Sequence, residues 1–91
     1  MNDHIHQSHP DIVKRLKRAH GHLTTVMTMI EQERPCLDVA QQLHAVEKAI
    51  AQAKKALIHD HIDHCLERSV GDKLADARAS IEEFKEITKY L

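Results

Sequence analysis

The sequence contains few of the residues that build turn-rich folds. Its 91 residues include one Tyr, one Phe, no Trp, two Gly, two Pro and two Cys. So few turn-forming and aromatic residues argue against a β-sandwich or a β-barrel. Because 42% of the residues are hydrophobic, the chain still has enough apolar side chains for a core. We therefore expect an all-α fold with a single domain over residues 1–91.

An excess of either charge and a long hydrophobic run are also absent. Thirteen Lys and Arg residues oppose 14 Asp and Glu residues, giving a formal net charge of -1, so the composition shows no general preference for nucleic acid or acidic membranes. No stretch approaches the roughly 18 apolar residues of a membrane span, and the N-terminus lacks a hydrophobic signal core. We expect a cytoplasmic protein without a membrane partner, in which Cys36 and Cys65 remain thiols.

Three stretches with helical periodicity follow a His-bearing flexible tail at residues 1–10. They predict helices at about 11–33, 36–69 and 72–90. Pro35 and Gly71 separate these helices. The apolar positions of the first helix are Leu16, Leu23, Met27 and Ile30. The apolar positions of the second helix follow a heptad-like spacing and form one seam along it. They are Val39, Leu43, Val46, Ile50, Ala53 and Leu57.

The length of the second helix predicts an oligomer. About 33 residues at a rise of about 1.5 Å each make a helix of roughly 50 Å, whereas a compact monomer of this size has a radius of gyration of about 12 Å. A helix with an apolar seam along that length is expected to bury it against a second copy. The sequence therefore predicts at least a dimer, with an antiparallel four-helix core from two protomers.

Two residues of the second helix form a candidate metal-chelating pair. The segment HDHIDHC places His61 and Cys65 four residues apart, so that both side chains leave one face of the helix. Cys36 lies 25 residues before His61, about 38 Å along one helix, so one chain cannot bring both to one ion. Antiparallel pairing of two chains can, which predicts two equivalent sites per dimer, each with ligands from both chains.

The N-terminal tail offers a fourth ligand. An antiparallel return of the chain through Pro35 places residue 4 level with Cys65, so His4 is the favoured ligand, ahead of His6 and His9. Two thiolates and two imidazoles suit Cu(I) or Zn(II), and they suit Ni(II) or Co(II) if the tail flattens the geometry.

The other histidines are not expected to bind the metal directly. His64 flanks the chelating pair and is expected to orient it. His20, His22 and His44 are expected to be solvated or hydrogen-bonded within the bundle. The chain has neither a Gly-rich phosphate loop nor a nucleophile motif, so we expect no enzymatic activity and no small-molecule substrate.

Basic residues gather on the first two predicted helices. They are Lys14, Arg15, Lys17, Arg18, Lys54 and Lys55. Antiparallel packing places positions 14 and 15 level with 55 and 54, so the sequence predicts one positive patch, while acidic residues concentrate elsewhere. A patch of this kind, duplicated in a dimer, suits the phosphate backbone of double-stranded DNA.

Three segments of the chain resemble the CsoR/RcnR family of bacterial metal-sensing transcriptional repressors. They are RLKRAHGHL at 15–23, PCLDVAQQLHAVEKAI at 35–50 and HDHIDHC at 59–65. The resemblance implies an all-helical dimer that assembles into a homotetramer without a helix-turn-helix. It implies repression of a metal-efflux gene until metal binding releases the promoter DNA. It also implies that Cys36 of one protomer ligates with His61 and Cys65 of the other, beside the acidic Glu83.

Within this family the ligand set indicates the metal. The set His4, Cys36, His61 and Cys65 resembles that of nickel sensors that keep the second cysteine, and Pro35 stands where a Tyr is often linked to the copper site. We therefore expect Ni(II) or Co(II) as the inducer ahead of Cu(I). The alternatives are a Cu(I)-sensing repressor of the same family and a cytoplasmic metal buffer that does not bind DNA.

Overall fold

The computed structural model describes the backbone of residues 8–71 and 74–91, and the side chains of residues 8–63, 78, 79 and 81–91. This part of the chain forms three helices and no strand, which confirms the predicted all-α class. The helices are α1 (His9–Glu31), α2 (Cys36–Gly71) and α3 (Leu74–Thr88). Each begins and ends within two residues of the predicted bounds. None of the described helices is long and apolar enough to cross a membrane.

A backbone motif ends α1 two residues before the predicted position. The Glu33 N–H donates to the Ile30 carbonyl and the Arg34 N–H donates to the Met29 carbonyl, both at 3.0 Å. Glu33 has a φ of 57°, so the turn is a Schellman motif with a left-handed residue just beyond the helix. Glycine usually occupies that position. Because this chain has Glu at this position, the sequence indicates the end of the helix through Pro35, two residues later.

The chain divides into two compact units, and the boundary falls inside α2. One unit comprises residues 9–53 and the other includes residues 54–91. Helix α2 has 36 residues, which makes it about 54 Å long. Its first part belongs to the unit of α1 and its second part to the unit of α3. The single functional domain over residues 1–91 stays a prediction.

The core of the first unit is built from residues spaced by seven. Ile12, Ala19 and Val26 are the buried apolar residues of α1, and Val46 and Ala53 are those of the first part of α2. A spacing of seven returns to nearly the same helix face after two turns. Each row therefore lies on one face of its helix, and that face is buried.

The apolar positions predicted to form the seams are mostly outside this core. Leu16, Met27 and Ile30 of α1 are 43%, 50% and 57% exposed, and Leu43 and Ile50 of α2 are 45% and 44% exposed. Val46 and Ala53 are the exceptions, with 2% and 1% exposure. Helix α1 thus has a second apolar face that is exposed in the described part of the chain. A second copy that covers this face stays a prediction, as does the tetramer.

Candidate metal centre and nucleic-acid interface

The predicted ligand Cys36 is the first residue of α2. Its thiol is free and exposed, directly after the turn that ends α1. Pro35 precedes it and accepts a backbone hydrogen bond from Val39 at 3.1 Å, which begins the helix. The side chain is therefore held at a helix terminus and is open to a metal or to a neighbouring molecule.

His61 lies on the second part of α2, against α3. Its Nε2 atom is 3.4 Å from Oε2 of Glu83, and the two side chains are 31% and 52% exposed. They share an open cleft of about 380 Å³, which we call the His61 cleft. Its lining residues are His61, Glu82, Glu83, Glu86, Ile87 and Tyr90. The carboxylates give this cleft a negative charge, although Lys85 and Lys89 lie 4.0 and 3.0 Å from Glu82 and Glu86.

The contact with Glu83 gives the two nitrogens of the His61 ring different roles. A neutral histidine donates through one nitrogen and presents a lone pair on the other. Since Nε2 is the nitrogen beside the Glu83 carboxylate, Nδ1 is the one left to meet a metal in this arrangement. A carboxylate beside a ligating imidazole typically fixes the ring orientation and raises its basicity. Glu83 thus has the position of a residue that orients the His61 ring.

Three of the predicted residues lie outside the described part of the structure. His4 belongs to residues 1–7, and the side chains of His64 and Cys65 are not described, although their backbone continues α2. Among the residues that are described, no three His, Cys, Asp or Glu side chains come together as a metal site. Cys36 belongs to the unit of residues 9–53 and His61 to the unit that includes residues 54–91. The four-ligand set therefore stays a prediction.

The donor chemistry fits a soft transition metal. A thiolate and an imidazole are the ligands that Cu(I) and Zn(II) accept, and imidazole also suits Ni(II). The Cys36 thiol is exposed and the His61 ring is only half-buried, so each is accessible to an ion.

The basic residues predicted to bind DNA are all exposed. Lys14, Arg15, Lys17 and Arg18 follow one another on α1, and Lys54 and Lys55 lie on α2 at the start of the other unit. The single patch that would combine the two groups stays a prediction.

Two of these residues line a second cleft, which we call the arginine cleft. It has a volume of about 350 Å³ and is lined by Arg15, Arg18, Ala19, His22, Ala49 and Gln52. His22 bridges the helices, because its Nε2 lies 2.7 Å from Oε1 of Gln42. The expectation that His22 is hydrogen-bonded within the bundle is therefore met. The sequence did not predict that His22 lies in this cleft. The spacing of four between Arg18 and His22 does place these two residues on one face of α1.

Comparison with known proteins identifies the family. Residues 8–90 match the family described as "metal-sensitive transcriptional repressor". The chain belongs to this family. Relatives include the copper-sensing transcriptional repressor CsoR of Mycobacterium ulcerans, which is 33% identical over 78 residues. That match covers 86% of this chain and 65% of the relative, so the chain spans about two thirds of the length of the mycobacterial CsoR proteins.

Two further comparisons bear on the metal. The copper-sensing repressor RicR of Mycobacterium tuberculosis is 34% identical over 82 residues, covering 82% of this chain and 85% of RicR. Among solved structures, the nickel-responsive transcriptional regulator InrS matches with a TM-score of 0.81 and 30% identity, over 99% of this chain and 100% of that one. The predicted resemblance to CsoR/RcnR-type repressors is thereby confirmed.

Proposed function

We propose that this protein is a metal-responsive transcriptional repressor, which binds promoter DNA without metal and is released from DNA when metal binds. The observation that carries this proposal is the match of residues 8–90 to the repressor family. The ion acts as an inducer and undergoes no chemistry. A protein that acts on promoter DNA in this way would work in the cytoplasm of a bacterium.

The proposed metal site joins two subunits. Cys36 of one subunit would ligate together with His61 and Cys65 of its partner, with His4 as the fourth ligand and His64 beside them. The arrangement is supported by the exposed thiol at the start of α2 and by the His61 ring beside Glu83. The dimer is supported by the exposed apolar face of α1, because a helix that keeps such a face typically buries it against another helix. Pairs of dimers would form the homotetramer.

The comparisons support Cu(I) as the inducer better than the predicted Ni(II) or Co(II). The relatives CsoR and RicR are both copper-sensing repressors. Thiolate ligands also select Cu(I) over harder ions. Ni(II) stays the second candidate because the structure of the nickel-responsive regulator InrS matches nearly the whole chain.

The proposed DNA surface consists of Lys14, Arg15, Lys17, Arg18, Lys54 and Lys55. Their exposure allows direct contact with phosphates, and each neutralised phosphate releases counterions. Because metal binding releases DNA in this proposal, DNA binding must weaken metal binding by the same factor. A coupling of about 1 to 3 kcal/mol, or about 5- to 150-fold in affinity, is typical of such systems.

The proposal is tested by fluorescence anisotropy on a duplex that contains the promoter next to the gene for this protein. The metal-free protein is bound to the duplex, and Cu(I), Ni(II), Co(II) and Zn(II) are added in separate titrations. We expect Cu(I) to weaken DNA binding at least about fivefold. A duplex of the same length and scrambled sequence is the control for non-specific binding.

Other results of these titrations would change the proposal. Release by Ni(II) or Co(II) alone would replace copper with the second candidate. Tight metal binding without any effect on DNA would contradict the repressor proposal and favour the metal buffer. A His4→Ala variant with unchanged metal affinity would remove the tail from the ligand set.

A further inference from the structure

The contact between His61 and Glu83 is weak by itself. Its two atoms are 3.4 Å apart, and the side chains are 31% and 52% exposed. A strong hydrogen bond from a nitrogen to a carboxylate is about 2.7 to 2.9 Å long, and water screens the attraction between exposed groups. A third group that keeps water away from the two side chains would therefore strengthen the contact.

Tyr90 has the position of such a group. It lines the His61 cleft, and it follows Glu83 by seven residues and Ile87 by three, so it extends the face of α3 on which these two residues lie. The other lining residues are a histidine and three glutamates. The aromatic ring of Tyr90 and the side chain of Ile87 thus provide the apolar wall of the cleft.

The turn that follows α3 holds the Tyr90 backbone beside the cleft. The Tyr90 N–H donates to the Ile87 carbonyl at 3.1 Å, and the Lys89 N–H donates to the Glu86 carbonyl at 3.3 Å. Residues 89 and 90 therefore continue α3 with the spacing of a 3₁₀ turn. Lys89 also donates through Nζ to Oε1 of Glu86 at 3.0 Å. These hydrogen bonds fix the backbone of Tyr90, although the residue itself is 65% exposed.

The ring of Tyr90, and not its hydroxyl, is the part that acts in the cleft. Among the described residues, the hydroxyl has no hydrogen-bond partner. An apolar ring beside a polar contact displaces water and lowers the local dielectric constant, which makes the contact stronger. The ring therefore strengthens the contact between His61 and Glu83 by covering it.

We infer that Tyr90 is a positioning residue for the metal ligand His61. Its ring excludes water from the His61 cleft, so that Glu83 keeps the imidazole proton on Nε2 and leaves the Nδ1 lone pair available to the metal. This inference rests on the proposed function and deepens it, because it assigns a third residue to the environment of that ligand.

The first test follows the His61 ring in the metal-free protein. At about pH 8 free histidine is neutral, and ¹⁵N NMR distinguishes a protonated ring nitrogen from an unprotonated one. We expect the wild type and Tyr90→Phe to keep the proton on Nε2, and Tyr90→Ala to give a mixture of both tautomers. Leu91→Ala is the matched control, because Leu91 is 62% exposed and adjoins Tyr90 but does not line the cleft.

The second test measures metal affinity by competition with a chromophoric Cu(I) chelator. We expect Tyr90→Ala to lower the affinity about tenfold, at the lower end of the range for residues that support a ligand. Tyr90→Phe keeps the ring and should keep the wild-type affinity, and Leu91→Ala should do the same. Circular dichroism checks that each variant keeps its helices.

The two tests separate this inference from the proposed function. An unchanged tautomer and unchanged metal affinity in Tyr90→Ala would overturn the role of Tyr90 and leave the repressor proposal standing. Equal losses in Tyr90→Ala and Tyr90→Phe would also overturn it, because the hydroxyl would then be responsible, and so would an equal loss in Leu91→Ala. If metal has no effect on DNA binding by the wild type, the repressor proposal fails, and the tautomer of His61 still decides the role of Tyr90.

Discussion

The two clefts of the molecule are similar in size and opposite in charge. The arginine cleft has about 350 Å³ and two guanidinium groups, whereas the His61 cleft has about 380 Å³ and three carboxylates. Helix α2 contributes Gln52 to the first and His61 to the second. The difference places a cleft suited to anions and a cleft suited to cations in separate units of the chain. Single substitutions should therefore remove one kind of binding and leave the other.

The largest expected effect comes from His61→Ala. Loss of an imidazole ligand should reduce metal affinity by more than about 100-fold, because even residues that only support a ligand typically contribute 10- to 100-fold. DNA binding by the metal-free protein should be unchanged. Competition with a chromophoric Cu(I) chelator measures the first quantity and anisotropy the second. His44→Ala, at an exposed position of α2, is the matched control; equal metal affinity in both variants would contradict the assignment.

A smaller effect is expected from Glu83→Gln. The substitution keeps the shape of the side chain but removes the charge that lies 3.4 Å from the His61 ring. We expect metal affinity to fall about 10- to 100-fold, because the ring loses the carboxylate that orients it. Glu47→Gln, which removes a charge from an exposed position of α2, should leave metal affinity as it is. A Glu83 variant with wild-type affinity would show that its contact with His61 has no part in metal binding.

Arg15→Gln tests the other cleft. We expect about a tenfold loss of DNA affinity and a decrease of about one in the slope of log affinity against log salt concentration, since one phosphate contact is lost. The metal affinity of the free protein should stay the same. Arg34→Gln, at the exposed turn after α1, makes the same charge change as a control. If Arg15→Gln and Arg34→Gln have the same salt slope, Arg15 contributes to DNA affinity only through long-range electrostatic attraction and not through a phosphate contact.

The smallest effect is expected from Gly21→Ala, on α1 outside both clefts. An added Cβ there would meet no atom within 4 Å, and glycine inside a helix costs up to about 1 kcal/mol relative to alanine. We expect the free energy of unfolding to rise by about that amount, measured by urea denaturation at constant protein concentration. Ala40→Gly, at an exposed position of α2, should lower it similarly. A destabilised Gly21 variant would reveal another molecule packed closely against this position.

The sequence predicted the helices better than the residues that pack between them. Periodicity and breakers placed every helix to within two residues, because helix formation depends on residues three and four apart. The same periodicity predicted seam positions such as Leu16 and Met27, yet Ile12, Ala19 and Val26 are the buried apolar residues of α1. Helix α1 is apolar on more than one face, and a pattern in one helix cannot show which face its neighbour will cover.

For the candidate sites, too, the sequence predicted the individual residues better than their neighbours in space. The chemical character of Cys36, His61 and the basic residues on α1 was evident from residue type and spacing alone. Glu83 came from the family resemblance, and the structure added its contact with His61. His22 and Gln52 were not predicted as neighbours of Arg15 and Arg18, because a charge pattern contains no information on which residues of two helices meet.

The sequence by itself determined that the chain is helical, where its helices begin and end, and which side chains can offer thiolate, imidazole or guanidinium groups, because all of these depend on residue identity and local spacing. The tertiary structure alone decided which apolar face of α1 is buried and which residues share a cleft. His22 and Gln52 are 30 positions apart, and they line one cleft because the packing of α1 against α2 fixes the distance and rotation between the two helices.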